Sequence, residues 1–198
     1  MDKSTGVLEV GLNDDGEIVV NHPDLKPDEN GVGHIVFSSN QARHLARLLE
    51  QHADQSDRDA RALRDAEARK AAEAIPVDRD CQVLTDGSPV TADHQEINPA
   101  TGQQKGYVVL CDTERRKGFV RPVRTAYMHV GVEPRMHGHV LIKPGENGCG
   151  SRTVMALSIA ETYARDPQFY SGTFCVGCGT HRPLTEFVWE GTTEQVGS

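Results

Sequence analysis

The sequence predicts an α+β protein: a small antiparallel β-sheet with a helix, a charged helical spacer, then a zinc-stabilised α+β domain. Three features carry that expectation. Short apolar alternations near the N-terminus are separated by turn residues. A long helical run changes composition halfway. A C-x2-C pair sits among glycine-rich loops in the C-terminal half. The boundaries fall at 1–53, 54–75 and 76–198.

Residues 7–10 and 17–20 alternate in the manner of strands, and Gly-Leu-Asn-Asp-Asp-Gly between them suits a hairpin turn. His34–Phe37 reads as a third strand. Ser38-Ser39-Asn40 then offers N-cap oxygens to a helix beginning near Gln41. On that helix Ala42, Leu45, Leu48, Leu49, His52 and Ala53 share one face. From 54 to 74 the same helix holds eleven charged residues and seven alanines, with Leu63 its one large apolar side chain. Acid-before-base pairs four apart (Asp54–Arg58, Asp57–Arg61, Asp65–Arg69) favour helix there, although little can be buried. This stretch reads as a solvated spacer that Pro76 ends, with self-association of the N-terminal helix as a further expectation. Beyond Pro76, Tyr107–Leu110 should be a strand and 113–118 one helical turn stopped by glycine. Residues 119–132 read as extended, and Ser151 as the cap of a helix reaching Arg165. Strands are expected at Thr173–Cys175 and Glu186–Trp189, and a frayed end at 191–198.

Composition sets bounds on function. The chain has 198 residues, 37% hydrophobic but only 5% aromatic, so its core should be modest and in need of a metal, a partner or self-association. No apolar run approaches the roughly 18–20 residues of a membrane helix. No basic segment followed by an apolar one opens the chain, so a secretory leader is not expected. The net charge of −8 disfavours nucleic-acid binding by the whole chain. Residues 100–144 reverse that balance, with eight bases against three acids. Within them Arg115, Arg116, Lys117, Arg121 and Arg124 form a local basic run with Phe119 and two valines interleaved, a candidate surface for phosphate or nucleic acid. The plainer reading is a solvated edge whose charges discourage strand pairing.

Five cysteines, with no leader, argue against a disulfide framework. Cys175-Val-Gly-Cys178-Gly has the form of a zinc knuckle, because two intervening residues let both sulfurs reach one ion. Cys149, flanked by Gly148 and Gly150, is the third ligand of choice. His181 completes C-x2-C-x2-H as the fourth, with His129, His137 and His139 as alternatives. A redox pair and unligated thiols are the competing readings. Cys81 and Cys111 read as ordinary small buried residues. His94-Gln-Glu96 followed by C-x2-C echoes the zinc nucleobase deaminases. The echo fails because His94 runs into turn residues and Phe174 stands where the proline belongs. H-E-x-x-H, G-x-S-x-G, Walker and dinucleotide-binding patterns are all missing.

Thr101-Gly-Gln-Gln-Lys-Gly-Tyr-Val-Val-Leu, Lys117-Gly-Phe-Val-Arg-Pro-Val-Arg, Ala160-Glu-Thr-Tyr-Ala-Arg-Asp-Pro and Thr173-Phe-Cys-Val-Gly-Cys-Gly-Thr-His lie between residues 101 and 181, within a resemblance that covers 81–198. Together they resemble an uncharacterised group of small phage- and prophage-encoded proteins. The resemblance implies a genomic setting and brings no activity with it. The expectation is therefore a phage or mobile-element accessory protein in the host cytoplasm. It would bind a host or phage protein, or nucleic acid, without turnover and without a membrane. The alternatives are a metal-dependent enzyme acting on nucleotides or nucleic acid, and a virion or assembly component.

Overall fold

The computed structural model describes residues 9–15, 18–21 and 38–198, and the chain is a mixed α+β protein. It divides into two compact units, Met1–Ala66 and Glu67–Ser198. The predicted strand at His34–Phe37 lies outside the described residues.

In the first unit, β1 (Glu9–Leu12) and β2 (Ile18–Asn21) form an antiparallel hairpin with Leu12 opposite Ile18. The strand thus runs two residues further into the predicted turn. Helix α1 (Ser39–Glu73) opens on a reciprocal cap. The Gln41 amide donates to Ser38 Oγ at 3.3 Å, and the Ser38 amide donates to Gln41 Oε1 at 2.9 Å. Leu45, Leu48, Leu49, His52 and Ala53 of the predicted face are half-buried, as is Ser56, whereas Ala42 is exposed and Leu63 is 63% exposed.

The second unit begins at Glu67, within the stretch read as spacer, and contains the end of α1. Ala72 is buried, and a Cβ on Gly118 would come within 3.1 Å of its own. Strands β3 (Gln82–Leu84) and β4 (Val108–Leu110) pair antiparallel, followed by the single turn α2 (Asp112–Arg115). The Gln82–Leu110 register brings Cys81 and Cys111 face to face. They form a disulfide with Cα atoms 5.4 Å apart. This corrects the reading of both as simple buried thiols: they are half-buried and bonded.

Strand β5 (Ala126–His129) is the centre of a three-stranded antiparallel sheet. Between it and the next sheet strand lies an unforeseen hairpin, β6 (Arg135–His137) and β7 (Val140–Lys143). The sheet is completed by β8 (Arg152–Val154) and β11 (Phe187–Trp189), one on each side of β5. The predicted helix at Ser151 is therefore corrected. Thr153 and Val154, both β-branched, pair with Tyr127 and Ala126, and α3 (Leu157–Arg165) starts only after Ala156. Strands β9 (Gly172–Cys175) and β10 (Thr180–Pro183) form a separate hairpin.

The core gathers Tyr127, Met155, Ala160, Tyr163, Phe187, Trp189 and Val196. Few aromatics suffice because they meet edge to face: Tyr127 with Phe187 at 5.4 Å and Tyr163 with Trp189 at 5.7 Å between centroids. Val196, predicted to fray, is fully buried, and its amide donates to the Phe187 carbonyl. Arg165, also buried, ties the unit together. Its guanidinium donates to Glu114 Oε1 at 3.0 and 3.1 Å, to the carbonyls of Ala72 and Ile75 at 2.9 Å each, and to that of Pro76 at 3.3 Å. The carbonyls at the end of α1 and in the loop just after it thus find donors.

Candidate metal centre

Three segments of the second unit deliver four ligand atoms to one place. His129 ends β5, Cys149 lies in the loop before β8, and Cys175 and Cys178 flank the turn that follows β9. Their ligand atoms all lie within 4.8 Å of one another. Cys149 Sγ is 3.4 Å from Cys175 Sγ, and His129 Nδ1 is 3.4 Å from the sulfurs of both Cys149 and Cys178. A tetrahedral zinc site with bonds of about 2.3 Å to sulfur and about 2.0 Å to nitrogen has edges of roughly 3.5–3.8 Å. The tetrad approaches those spacings.

Local sequence explains the convergence. A Cβ at Gly177 would lie 2.0 Å from Ser151 Oγ and 3.0 Å from Cys149 Sγ, so only glycine lets the knuckle close on the Cys149 loop. A Cβ at Gly148 would fall 2.3 Å from the Val130 carbonyl oxygen, so that loop hugs the end of β5 for the same reason. The Gly150 amide donates to the His129 carbonyl and the His129 amide to the Ser151 carbonyl, setting ligand beside ligand.

The electrostatics are uneven. Burial pushes the Cys175 thiol up to about 11, despite the Cys178 and Gly177 amides directed at its sulfur. Burial also opposes ionisation of Cys149. Hydrogen bonds from the Ser151 hydroxyl and amide, with His129 and Cys175, outweigh it and bring that thiol down to about 6. One sulfur is therefore ready to meet a cation as thiolate, and the others ionise with the gain from coordination. His129 is completely buried, stacked on Phe187 at 4.6 Å, and its Nε2 is 2.8 Å from Glu186 Oε2. With Nε2–H donating to that carboxylate, Nδ1 turns its lone pair towards the sulfurs. This is the carboxylate–histidine arrangement common behind metal ligands.

Of the predicted ligands, Cys149, Cys175 and Cys178 come together, and His129 joins them where the spacing favoured His181. The reason is the hairpin. Gly179 turns the chain straight into β10, which sets His181 opposite Phe174. Its ring lies between Tyr107, at 5.7 Å, and Phe174, at 5.4 Å. His137 and His139 are exposed at the β6–β7 turn. What sequence reasoning missed altogether is Glu186, whose only signal is its place beside the strand that pairs with β5.

Every base of the 115–124 run has a carboxylate within ion-pair reach. Arg115 pairs with Glu161 at 3.0 Å, Arg116 with Asp112 at 2.8 Å, Arg124 with Glu194 at 2.6 Å, and Lys117 with buried Glu114. Arg121 lies 3.9 Å from Glu73 and donates to the Ser198 carbonyl. No helix among the described residues is long and apolar enough to cross a membrane. Comparison with protein-family models, with curated proteins and with solved structures finds no match to this chain.

Proposed function

We propose that the second unit is a zinc-stabilised binding module of a phage or mobile-element accessory protein, acting on a protein partner without turnover. The observation that carries this reading is the closed Cys3His set. Cys149, Cys175, Cys178 and His129 supply four protein ligands, and the second nitrogen of His129 is already engaged by Glu186. A catalytic zinc keeps one position for water or substrate; a structural one does not. Zinc held here would cross-link β5, the Cys149 loop and the knuckle, and chemistry at the metal is not called for.

A protein is favoured over nucleic acid because each base of the 115–124 run has a carboxylate within ion-pair reach. The host cytoplasm is the setting the phage reading suggests. The Cys81–Cys111 disulfide favours a second one, the virion, because such bonds persist in oxidising surroundings.

Metal analysis of the purified full chain, followed by cobalt substitution, tests the central claim. One zinc per chain and a tetrahedral cobalt spectrum with no exchangeable water are expected. An exchangeable water would move the reading to a metal-dependent enzyme, and absence of bound zinc would remove it. Replacing Arg115, Arg116 and Lys117 together with alanine separates the partner classes. A strong, salt-dependent nucleic-acid affinity that falls in this variant would turn the reading to nucleic acid.

A further inference from the structure

Between β8, β9 and α3 the second unit holds a pocket of about 180 Å3, distinct from the metal centre. Just past the end of β9 the Val176 amide donates to Thr153 Oγ1 on β8 at 3.2 Å. The pocket is lined by the aromatic residues Tyr127, Tyr163, Tyr170 and Phe174. Exposed Thr85, Gln103, Val154 and Ala156 form its rim, so it opens to solvent. Val154 is 57% exposed, an apolar side chain standing at the mouth.

Size and chemistry restrict what fits. A dry cavity of roughly 150 Å3 lined by apolar side chains accommodates benzene. A pocket of about 180 Å3 therefore suits one six-membered ring with a small substituent. Aromatic walls favour an aromatic guest, because rings attract one another in edge-to-face and offset geometries. The wall also has a polar spot. Thr173 is buried, and its hydroxyl donates to Tyr127 Oη at 3.0 Å; Tyr127 in turn donates to the Phe174 carbonyl at 2.5 Å. Tyr170 spends its proton on the Val108 carbonyl. The Tyr163 hydroxyl is also hydrogen-bonded to Thr173. These donors are committed inward, and what the threonine oxygen retains is one acceptor lone pair. A guest that donates a hydroxyl proton matches that; a guest that only accepts does not.

We propose that this pocket binds a single-ring aromatic molecule carrying a hydroxyl group, a phenol, with the ring against Tyr163 and Phe174 and the hydroxyl directed to Thr173 Oγ1. The occupant is non-covalent, and none of the tetrad residues lines the site. It gives the unit a small-molecule ligand in addition to its macromolecular partner.

The test is titration of the full chain with phenol and with benzene, followed by calorimetry and by amide NMR shifts. Phenol should saturate one site with a dissociation constant on the order of 0.1–1 mM, and the shifts should centre on 153–156 and 172–174. Benzene should bind three- to tenfold more weakly, roughly the worth of one neutral hydrogen bond. Ala156→Trp, at the exposed rim, should abolish binding of both, with metal content unchanged. Thr173→Val should bring phenol to benzene's affinity and leave benzene unaffected. Failure of phenol to saturate at tenfold higher concentration overturns the proposal. Equal affinity for the two ligands overturns the hydroxyl assignment, and binding that survives Ala156→Trp places the guest elsewhere. If either variant fails to fold, the comparison of the two ligands on the natural chain still decides.

Discussion

Two residues separate Cys178 from His181, and on spacing alone that histidine is the natural fourth ligand. Local spacing is blind to strand direction. Once Gly179 commits the chain to β10, His181 must face Phe174, and only a residue from another strand can close the tetrad. His129 does so because β5 ends beside the Cys149 loop. The cysteines were legible because glycine and the two-residue gap mark them locally; His129 stood only among three alternatives to His181, and Glu186 was missed, because their roles depend on pairing between distant strands. Substitutions separate the two histidines. His181→Ala should leave one metal per chain, whereas His129→Ala should lose it or weaken it severely. Glu186→Gln keeps the shape of the side chain but removes its charge behind the ring. Competition with a chromophoric chelator should show about 10- to 100-fold weaker metal binding. Unchanged affinity in Glu186→Gln would mean that the carboxylate only fills space.

At the scale of elements, α2 and α3 were easier to place roughly than to bound. A glycine stop signalled α2 and a serine cap signalled α3, yet the start of α3 was misjudged, since Ser151 has good capping chemistry that β8 pairing overrides. What joins the two helices is the buried pair of Glu114 and Arg165, 1% exposed each. Burial opposes the charge on Glu114, but Lys117 and Arg165 outweigh it and hold the carboxyl below its ordinary value of 4.5. A carboxylate whose folded value is depressed adds stability that is complete above its unfolded value. That stability fades as pH falls through the folded one. Acid unfolding of the natural chain should therefore steepen below about pH 4.5. Glu114→Gln should be destabilised by about 3–5 kcal/mol at neutral pH, since it leaves the Arg165 charge buried without its partner. Its stability should also depend less on pH in the acid range. Denaturant melts of both proteins at pH 7 and pH 4 check both statements. Parallel pH dependence in the two proteins would assign the acid transition to other carboxylates.

For the whole molecule, the odd cysteine count resolves into two kinds of cross-link. Cys81 and Cys111 form a disulfide, and Cys149, Cys175 and Cys178 remain free to share a cation with His129. A core with so few aromatics would gain from both if the tetrad holds a metal, as small domains commonly do. The mixed α+β class and the place of the knuckle were readable from composition and spacing. The disulfide was not, because it follows from the β3–β4 register, which short strands leave unmarked. The cross-links share no residue, so they should fail separately. Closing a loop of sequence separation 30 restricts the unfolded chain by an amount worth about 3–4 kcal/mol. A structural zinc contributes on the order of 10 kcal/mol, comparable to the whole stability of an ordinary domain. Mild reduction by a phosphine should then lower the melting temperature of a chain that still folds and still holds its metal. A strong chelator should instead unfold the second unit while leaving the Cys81–Cys111 bond intact in the mass spectrum. Thermal melts with metal and thiol counts after each treatment distinguish these outcomes. If reduction alone unfolded the unit, or if chelation left its melting unchanged, the metal centre would not be what holds β5, the Cys149 loop and the knuckle together.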